Sequence, residues 1–281
     1  MTETRDARPT VIFDLDGVLY LDSEGIPGAG EALEAIATMG WRLLFATNNS
    51  TKTPALVAEH IHQRTGFAAS GADAVTSAGS AARYVAEHHT TAHVVGPSAI
   101  ATMLHDAGVT TSDNDQPGAV VVGLDRGLSY ASIDTAARLI RNGAEFVATN
   151  IDSTYPTPTG LSPGAGTIVA AIREASGVEP VNCGKPTTVF MDLVQEKLTA
   201  EGHAHDPQEA PYPHVWMVGD RPETDIAMGK IGGWTSVLTL SGVTASAESV
   251  PAQYRPDHVI STVADLPELL RQSAGGVRRG G

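Results

Sequence analysis

The sequence predicts an α/β protein, a doubly wound parallel sheet carrying an inserted α/β unit, and three observations predict it. Short apolar runs bounded by turn residues have the composition of strands buried on both faces. Helical patterns alternate with these runs, as they do in doubly wound sheets. A second set of strand-like runs then interrupts the first, and the original pattern resumes at Cys183.

In chain order, the first predicted strand is Val11-Ile12-Phe13. A helix comes next over 31–39, with Leu33 and Ile36 three apart on one face and Gly40 placed to end it. Leu43-Leu44-Phe45 is the second strand, and Thr53-Pro54 supplies an N-cap and first-turn proline for a helix carrying Leu56, Val57 and Ile61. The inserted unit contributes Val94-Val95, residues 119–122 and Phe146-Val147-Ala148 as strands, with helices near 131–142 and 167–176. After Cys183 the core adds Val215-Trp216-Met217-Val218 and Val237-Leu238-Thr239-Leu240, with a surface loop expected inside the core at 202–213. The expected division is residues 1–90 with 179–281 for the core and 91–178 for the insert.

At 281 residues and 42% apolar content the chain is too long for one typical domain and too apolar to be disordered. No stretch approaches the roughly 18 apolar residues of a membrane span, and residues 1–10 are polar, so a cytoplasmic protein without a membrane partner is expected. Cys183 is the single cysteine, which excludes an internal disulfide and a thiolate metal cage and fits a reducing compartment; a packing role is expected for it. A net charge of -14, from 32 acidic and 18 basic residues, argues against nucleic acid as a partner. The pair Arg278-Arg279 in the Gly-rich tail does not make a basic patch.

In an open parallel sheet, ligands collect outside the carboxyl ends of the strands, so the residues just past each apolar run carry the chemistry. After Phe13 come Asp14-Leu15-Asp16-Gly17, after Phe45 come Ala46-Thr47-Asn48-Asn49-Ser50, and after Val218 come Gly219-Asp220-Arg221 and then Asp225; Gly184-Lys185-Pro186 stands ahead of another helix. Side chains two apart in extended chain point the same way, so Asp14 and Asp16 face the crevice together while Leu15 turns to the core. Two neighbouring carboxylates resist joint ionisation, which suits one as nucleophile and the other as acid. Gly17 lets backbone approach an anion closely. Singly these residues have plain readings: an acidic turn for the Asp-x-Asp-Gly run, an N-cap for Thr47, a solvated charge for Lys185.

Together they suit phosphoryl transfer. A carboxylate attacking a phosphate dianion meets like charge, so an acidic protein needs a divalent cation and a fixed ammonium beside it. Asp220 and Lys185 supply those roles, and Thr47 with the amides near Asn48 can hold the remaining phosphate oxygens. Mg²⁺ is the expected cofactor, since it takes oxygen ligands and keeps several waters. Asp225 is placed to orient a metal-bound water or Lys185.

In this order, Asp14-Leu15-Asp16-Gly17-Val18-Leu19, Thr47-Asn48-Asn49-Ser50-Thr51, Gly184-Lys185-Pro186 and Gly219-Asp220-Arg221 with Thr224-Asp225-Ile226 resemble the four motifs of haloacid dehalogenase phosphatases. The chain most resembles the NagD-like branch, whose cap lies between the second and third motifs, and the likeness runs from about residue 11 to about 267. Val121-Val122-Gly123-Leu124-Asp125, Ala148-Thr149-Asn150-Ile151-Asp152 and Ser162-Pro163-Gly164-Ala165-Gly166 in the insert are also similar to that branch. The resemblance implies Asp14 as nucleophile and Asp16 as the acid that protonates the leaving oxygen and then activates water. It implies a magnesium site formed by Asp14, the Asp16 carbonyl and Asp220, with Thr47, Asn48 and Lys185 around the phosphate and Asp225 in support. An acid at Asp16 sets the chain apart from the superfamily's dehalogenases and ion pumps.

An insert of this size is expected to close over the site and choose the substrate. Asn150, and Asp152 beside it, are expected on its substrate-facing side. Gly164-Ala165-Gly166 fits either an anion-binding turn or close packing. The family's members act on glycerol 3-phosphate, phosphoglycolate, pyridoxal phosphate, nucleotides or aryl phosphates such as p-nitrophenyl phosphate. Residues 148–171 and 78–82 most resemble actinobacterial glycerol-phosphate phosphatases, so glycerol 3-phosphate leads among these small-molecule phosphomonoesters. The family often dimerises through its cap, and the residues of this chain do not themselves fix an oligomeric state. His60, His62, His88, His89, His203 and His205 lack the partners of a zinc site and read as surface residues. The competing readings are a phosphotransferase that passes the phosphoryl group to a sugar, and a non-catalytic phosphometabolite-binding protein.

Overall fold

A computed structural model describes residues 8–111, 116–157, 160–199 and 212–276. His203, His205, Arg278, Arg279, residues 1–7 and the expected loop up to residue 211 lie outside the described residues. The chain divides into two compact units: residues 1–46, 58–73 and 195–281 form the first, and residues 47–57 and 74–194 the second.

In the first unit, the strands His258–Ile260, Trp234–Thr239, Tyr212–Gly219, Thr10–Phe13 and Arg42–Thr47 lie side by side in that order, all parallel. Val11, Ile12 and Phe13 are buried, as strands covered on both faces must be. The helix Ala29–Thr38 buries Ala29, Ala32, Leu33 and Ile36, and Gly40 lies just past it at φ +87°, the left-handed end expected of that glycine. Leu240, expected in the last apolar strand, falls beyond it: the strand stops at Thr239.

The second unit carries its own parallel sheet, ordered Val181–Asn182, Glu145–Ala148, Ala119–Val122, Thr91–Val95, Thr110–Thr111. Side-chain alternation divides it into two faces. Val121 and Val147 pack with Cys183 against Ala78, Ala81, Ala82 and Val85 of the helix Ser77–His88 and Ile100 and Leu104 of the helix Ser98–Asp106. Val120, Val122, Phe146 and Ala148 pack against Leu139 and Ile140 of the helix Tyr130–Arg141 and Ile168 and Ile172 of the helix Ala165–Ser176. The helix expected after Lys185 is Thr188–Thr199.

Gly164, which caps the helix Ala165–Ser176, and Gly166 in its first turn have a packing explanation. A Cβ on Gly164 would lie 2.2 Å from the Asp152 carbonyl oxygen, and one on Gly166 would lie 2.2 Å from that of Ile151. Only glycine allows this approach of two backbones.

Candidate active site

In the first unit the site begins where two neighbouring strands end. Asp14 lies directly after the strand Thr10–Phe13, and its backbone N–H still donates to the Val218 carbonyl at 2.8 Å. The chain then turns tightly: Leu15 is buried, its carbonyl accepts from Val18 and Leu19, and Gly17 at φ +89° donates its N–H to the Tyr20 carbonyl. Asp16 stands in this turn, partly exposed. The neighbouring strand Tyr212–Gly219 is followed directly by Asp220 and leads into a π-type turn at Pro222–Ile226, a wide helical turn frequent at functional sites.

This turn brings Asp225 back beneath the strand end. The Arg221 backbone N–H donates to Asp225 Oδ2 at 3.1 Å. Gly219 is the reason Asp225 fits: a Cβ there would lie 2.1 Å from the Cβ of Asp225. Asp14, Asp220 and Asp225 thereby each offer a carboxylate oxygen within 4.8 Å of the other two, and all three residues are buried. Buried like charges at this spacing repel strongly, and a divalent cation among them is the direct remedy. The donors are hard oxygens, the set magnesium prefers. The sequence reading gave Asp225 only a supporting role; the fold places its carboxylate within the cluster, whereas the part expected of Asp16 involved its carbonyl.

Tyr20 lies just beyond the turn, with its ring edge-on to His60 at 4.7 Å. Its phenol is pushed well above its ordinary pKa, first by burial and then by Asp16 and Asp14. It therefore stays a neutral hydroxyl beside the acidic turn.

The second unit organises the remaining motif residues around Asn48. The Asn48 side-chain carbonyl accepts the Lys185 backbone N–H at 2.7 Å, and its Nδ2 donates to Asp152 Oδ2 at 3.1 Å. The Asn48 backbone carbonyl accepts from Asn150 Nδ2 at 2.8 Å and from Ser77 Oγ at 2.6 Å. Asn48, Asn150 and Lys185 are all buried, as is Thr47, whose Oγ1 accepts the Asn49 backbone N–H at 3.0 Å. Asn150 is thus tied to Asn48. Sequence reasoning missed Ser77, whose small side chain carries no motif signal.

Cys183 is fully buried within an aliphatic cluster, and its thiol is pushed up to about 12, by burial first and then by Glu145. A thiol so protonated is no nucleophile. Among the histidines, His62 bonds the Gly66 carbonyl, His88 that of Tyr84, and His89 meets the Glu145 carboxylate at 2.6 Å. No described helix is long and apolar enough to cross a membrane.

The family profile of the haloacid dehalogenase-like hydrolases matches residues 11–110, and a second profile, HAD-hydrolase-like, matches 182–266. The chain is 36% identical over 257 residues to a dihydroxyacetone phosphatase of Corynebacterium glutamicum, covering 91% of this chain and 89% of that protein. The crystal structure of the glycerol phosphate phosphatase Rv1692 from Mycobacterium tuberculosis, in complex with magnesium, superposes with a TM-score of 0.80 at 33% identity, covering 93% of this chain and 77% of that one. NagD from E. coli K-12 superposes with a TM-score of 0.77 at 31% identity, covering 92% of this chain and 98% of that one. The chain belongs to the haloacid dehalogenase-like hydrolases and is a phosphatase. Within that family it is NagD-like.

Proposed function

We propose that this phosphatase hydrolyses a small three-carbon phosphomonoester, glycerol 3-phosphate or dihydroxyacetone phosphate, through an aspartyl-phosphate on Asp14 with Mg²⁺ as cofactor. The observation that carries the proposal is the convergence of the Asp14, Asp220 and Asp225 carboxylates to within 4.8 Å. The substrate class rests on the dihydroxyacetone phosphatase and glycerol phosphate phosphatase among the similar proteins. In this reading residues 91–178 act as the substrate-selecting cap.

In the proposed reaction a carboxylate oxygen of Asp14 attacks phosphorus and the bond to the leaving oxygen breaks. Asp16 gives that oxygen its proton, so the alcohol departs neutral. The Asp16 carboxylate then takes a proton from water as the water oxygen attacks the acyl phosphate, releasing inorganic phosphate and restoring Asp14. Thr47, the backbone N–H of Asn48 and the Lys185 ammonium hold the phosphoryl oxygens as charge shifts, whereas the Gly17 N–H is taken by the Tyr20 carbonyl and the Asn150 side chain by Asn48 and Asp152. Asp14, Asp220 and the Asp16 carbonyl would hold Mg²⁺, supported by Asp225; when bound it neutralises charge on the phosphoryl group.

Phosphate release would be measured with Mg²⁺ from glycerol 3-phosphate, dihydroxyacetone phosphate, phosphoglycolate, pyridoxal phosphate, a nucleotide and p-nitrophenyl phosphate. The three-carbon esters are expected to rank first and Asp14→Asn to be essentially inactive. Three-carbon esters at the bottom of the panel would overturn the substrate class, and an active Asp14→Asn enzyme would overturn the nucleophile.

A further inference from the structure

Directly after the strand Trp234–Thr239 the chain bends at 241–243, and this bend touches both acidic parts of the site in the first unit. The Val243 backbone N–H donates to Asp220 Oδ2 at 2.6 Å. Ser241 Oγ donates to the Gly17 carbonyl at 2.7 Å, across 224 positions of sequence. Between these bonds lies Gly242, where a Cβ would stand 2.0 Å from Asp220 Oδ2 and 2.5 Å from its Cγ. A Cβ on Gly17 would meet the same carboxylate oxygen at 2.3 Å from its own side. The Asp220 carboxylate is therefore held between two glycines, with one oxygen pinned by an amide.

We infer that the bend at 241–243 is a latch that positions the cation-binding carboxylate of Asp220 against the Asp14–Gly17 turn, with Ser241 as a positioning residue. The inference rests on the proposed role of Asp220 as a metal ligand. Its physical basis is rotational. A carboxylate in a cluster of like charges tends to swing away, and each swing costs the geometry a small hydrated cation demands. The Val243 amide fixes the carboxylate plane through Oδ2, and the charged acceptor makes this the stronger kind of hydrogen bond. The Ser241 hydroxyl ties the same bend to the backbone just after Asp16, so the two acidic segments cannot drift apart independently. Partners that orient metal ligands in this way typically alter metal affinity by about 10- to 100-fold when removed.

Mn²⁺ binding, followed by the electron paramagnetic resonance of the free ion, would be compared in wild type, Gly242→Ala, Ser241→Ala and Ser241→Thr. The thermal midpoint in EDTA and the substrate KM at saturating Mg²⁺ would be measured beside it. Gly242→Ala is expected to weaken Mn²⁺ binding by about tenfold or more. Ser241→Ala, which loses one hydrogen bond, should weaken it by roughly fivefold while Ser241→Thr restores it, with thermal midpoint and KM nearly constant. Should Gly242→Ala not fold, the Ser241 pair decides. Wild-type Mn²⁺ affinity in Ser241→Ala, or an affinity that falls only in step with the thermal midpoint, overturns the latch. A wild-type protein that binds no Mn²⁺ and releases no phosphate overturns the proposed function first, and that result is read without any substitution.

Discussion

The Asn48 side-chain carbonyl accepts the backbone N–H of Lys185 at 2.7 Å, joining two motifs 137 positions apart. The same side chain holds Asp152 through Nδ2, so neither end of the amide is spare for a ligand. Asn48→Ala keeps every backbone donor and removes this tie together with the one to Asp152. We expect its kcat/KM to fall by about tenfold or more, because Lys185 is the group proposed to hold phosphate and small misplacements of such a group are costly. Asn48→Asp should fall further, since a carboxylate would then face Asp152. Steady-state kinetics on both variants check this, and an unchanged Asn48→Ala enzyme would show that the tie does not position Lys185.

Gly219 makes room for Asp225. In Gly219→Ala the new methyl would collide with the Asp225 Cβ at 2.1 Å, which the backbone fixes and no side-chain rotation can move, and with its Cγ at 2.3 Å. The expected cost is about 1–3 kcal/mol of stability from overpacking. Chemical denaturation together with a metal titration checks it, and metal affinity should fall as well because Asp225 moves.

Cys183 predicts a pH effect of definite sign. Its folded pKa is raised to about 12 by burial and by Glu145. The stabilisation from keeping the thiol neutral is full below the unfolded value, about 8.5, and is lost as pH rises through the folded one. Cys183→Ala should therefore lose less stability than wild type between neutral pH and strongly alkaline pH. Native protein at pH 8 should also resist iodoacetamide, whereas urea-unfolded protein reacts fully; rapid native labelling would refute the burial.

Asp257 behaves oppositely. Partial burial raises its pKa, but the Ser236 hydroxyl at 2.7 Å and backbone N–H at 2.8 Å, helped by Lys230 and His258, carry it below the usual carboxylate range. A depressed carboxylate stabilises the fold above its unfolded pKa, about 3.9, and that contribution disappears as pH falls through the folded value. Asp257→Asn should flatten the acid limb of a melting-temperature profile below about pH 4 and leave the neutral region less stable than wild type.

Local patterns carried much of the architecture. The runs at 11–13, 43–45 and 215–218 lie inside observed strands because fully buried strands are apolar without interruption. Helix Ser77–His88 was missed as an element: it buries Ser77, Ala78, Ser80, Ala81, Ala82 and Val85, and a stripe of small residues has little of the apolar periodicity that marks a helix. The strands Thr154–Thr157 and Gly160–Pro163 escaped notice because Pro156 and Pro163 read as strand breakers; a two-stranded antiparallel ribbon tolerates them. The latch residues had a usable signal, since Ser241 and Gly242 come directly after an apolar run predicted as a strand.

By itself the sequence determined which residues stand at the strand ends, the family and the alternation of helix and strand, because periodicity and turn residues act over a few positions. Tertiary structure alone decided which carboxylates share one cluster, why Gly219 and Gly242 must lack side chains, and that the Asn48 amide is spent on Lys185 and Asp152. Those facts depend on strand order and on distances of a few ångströms between segments far apart along the chain, which no local pattern encodes.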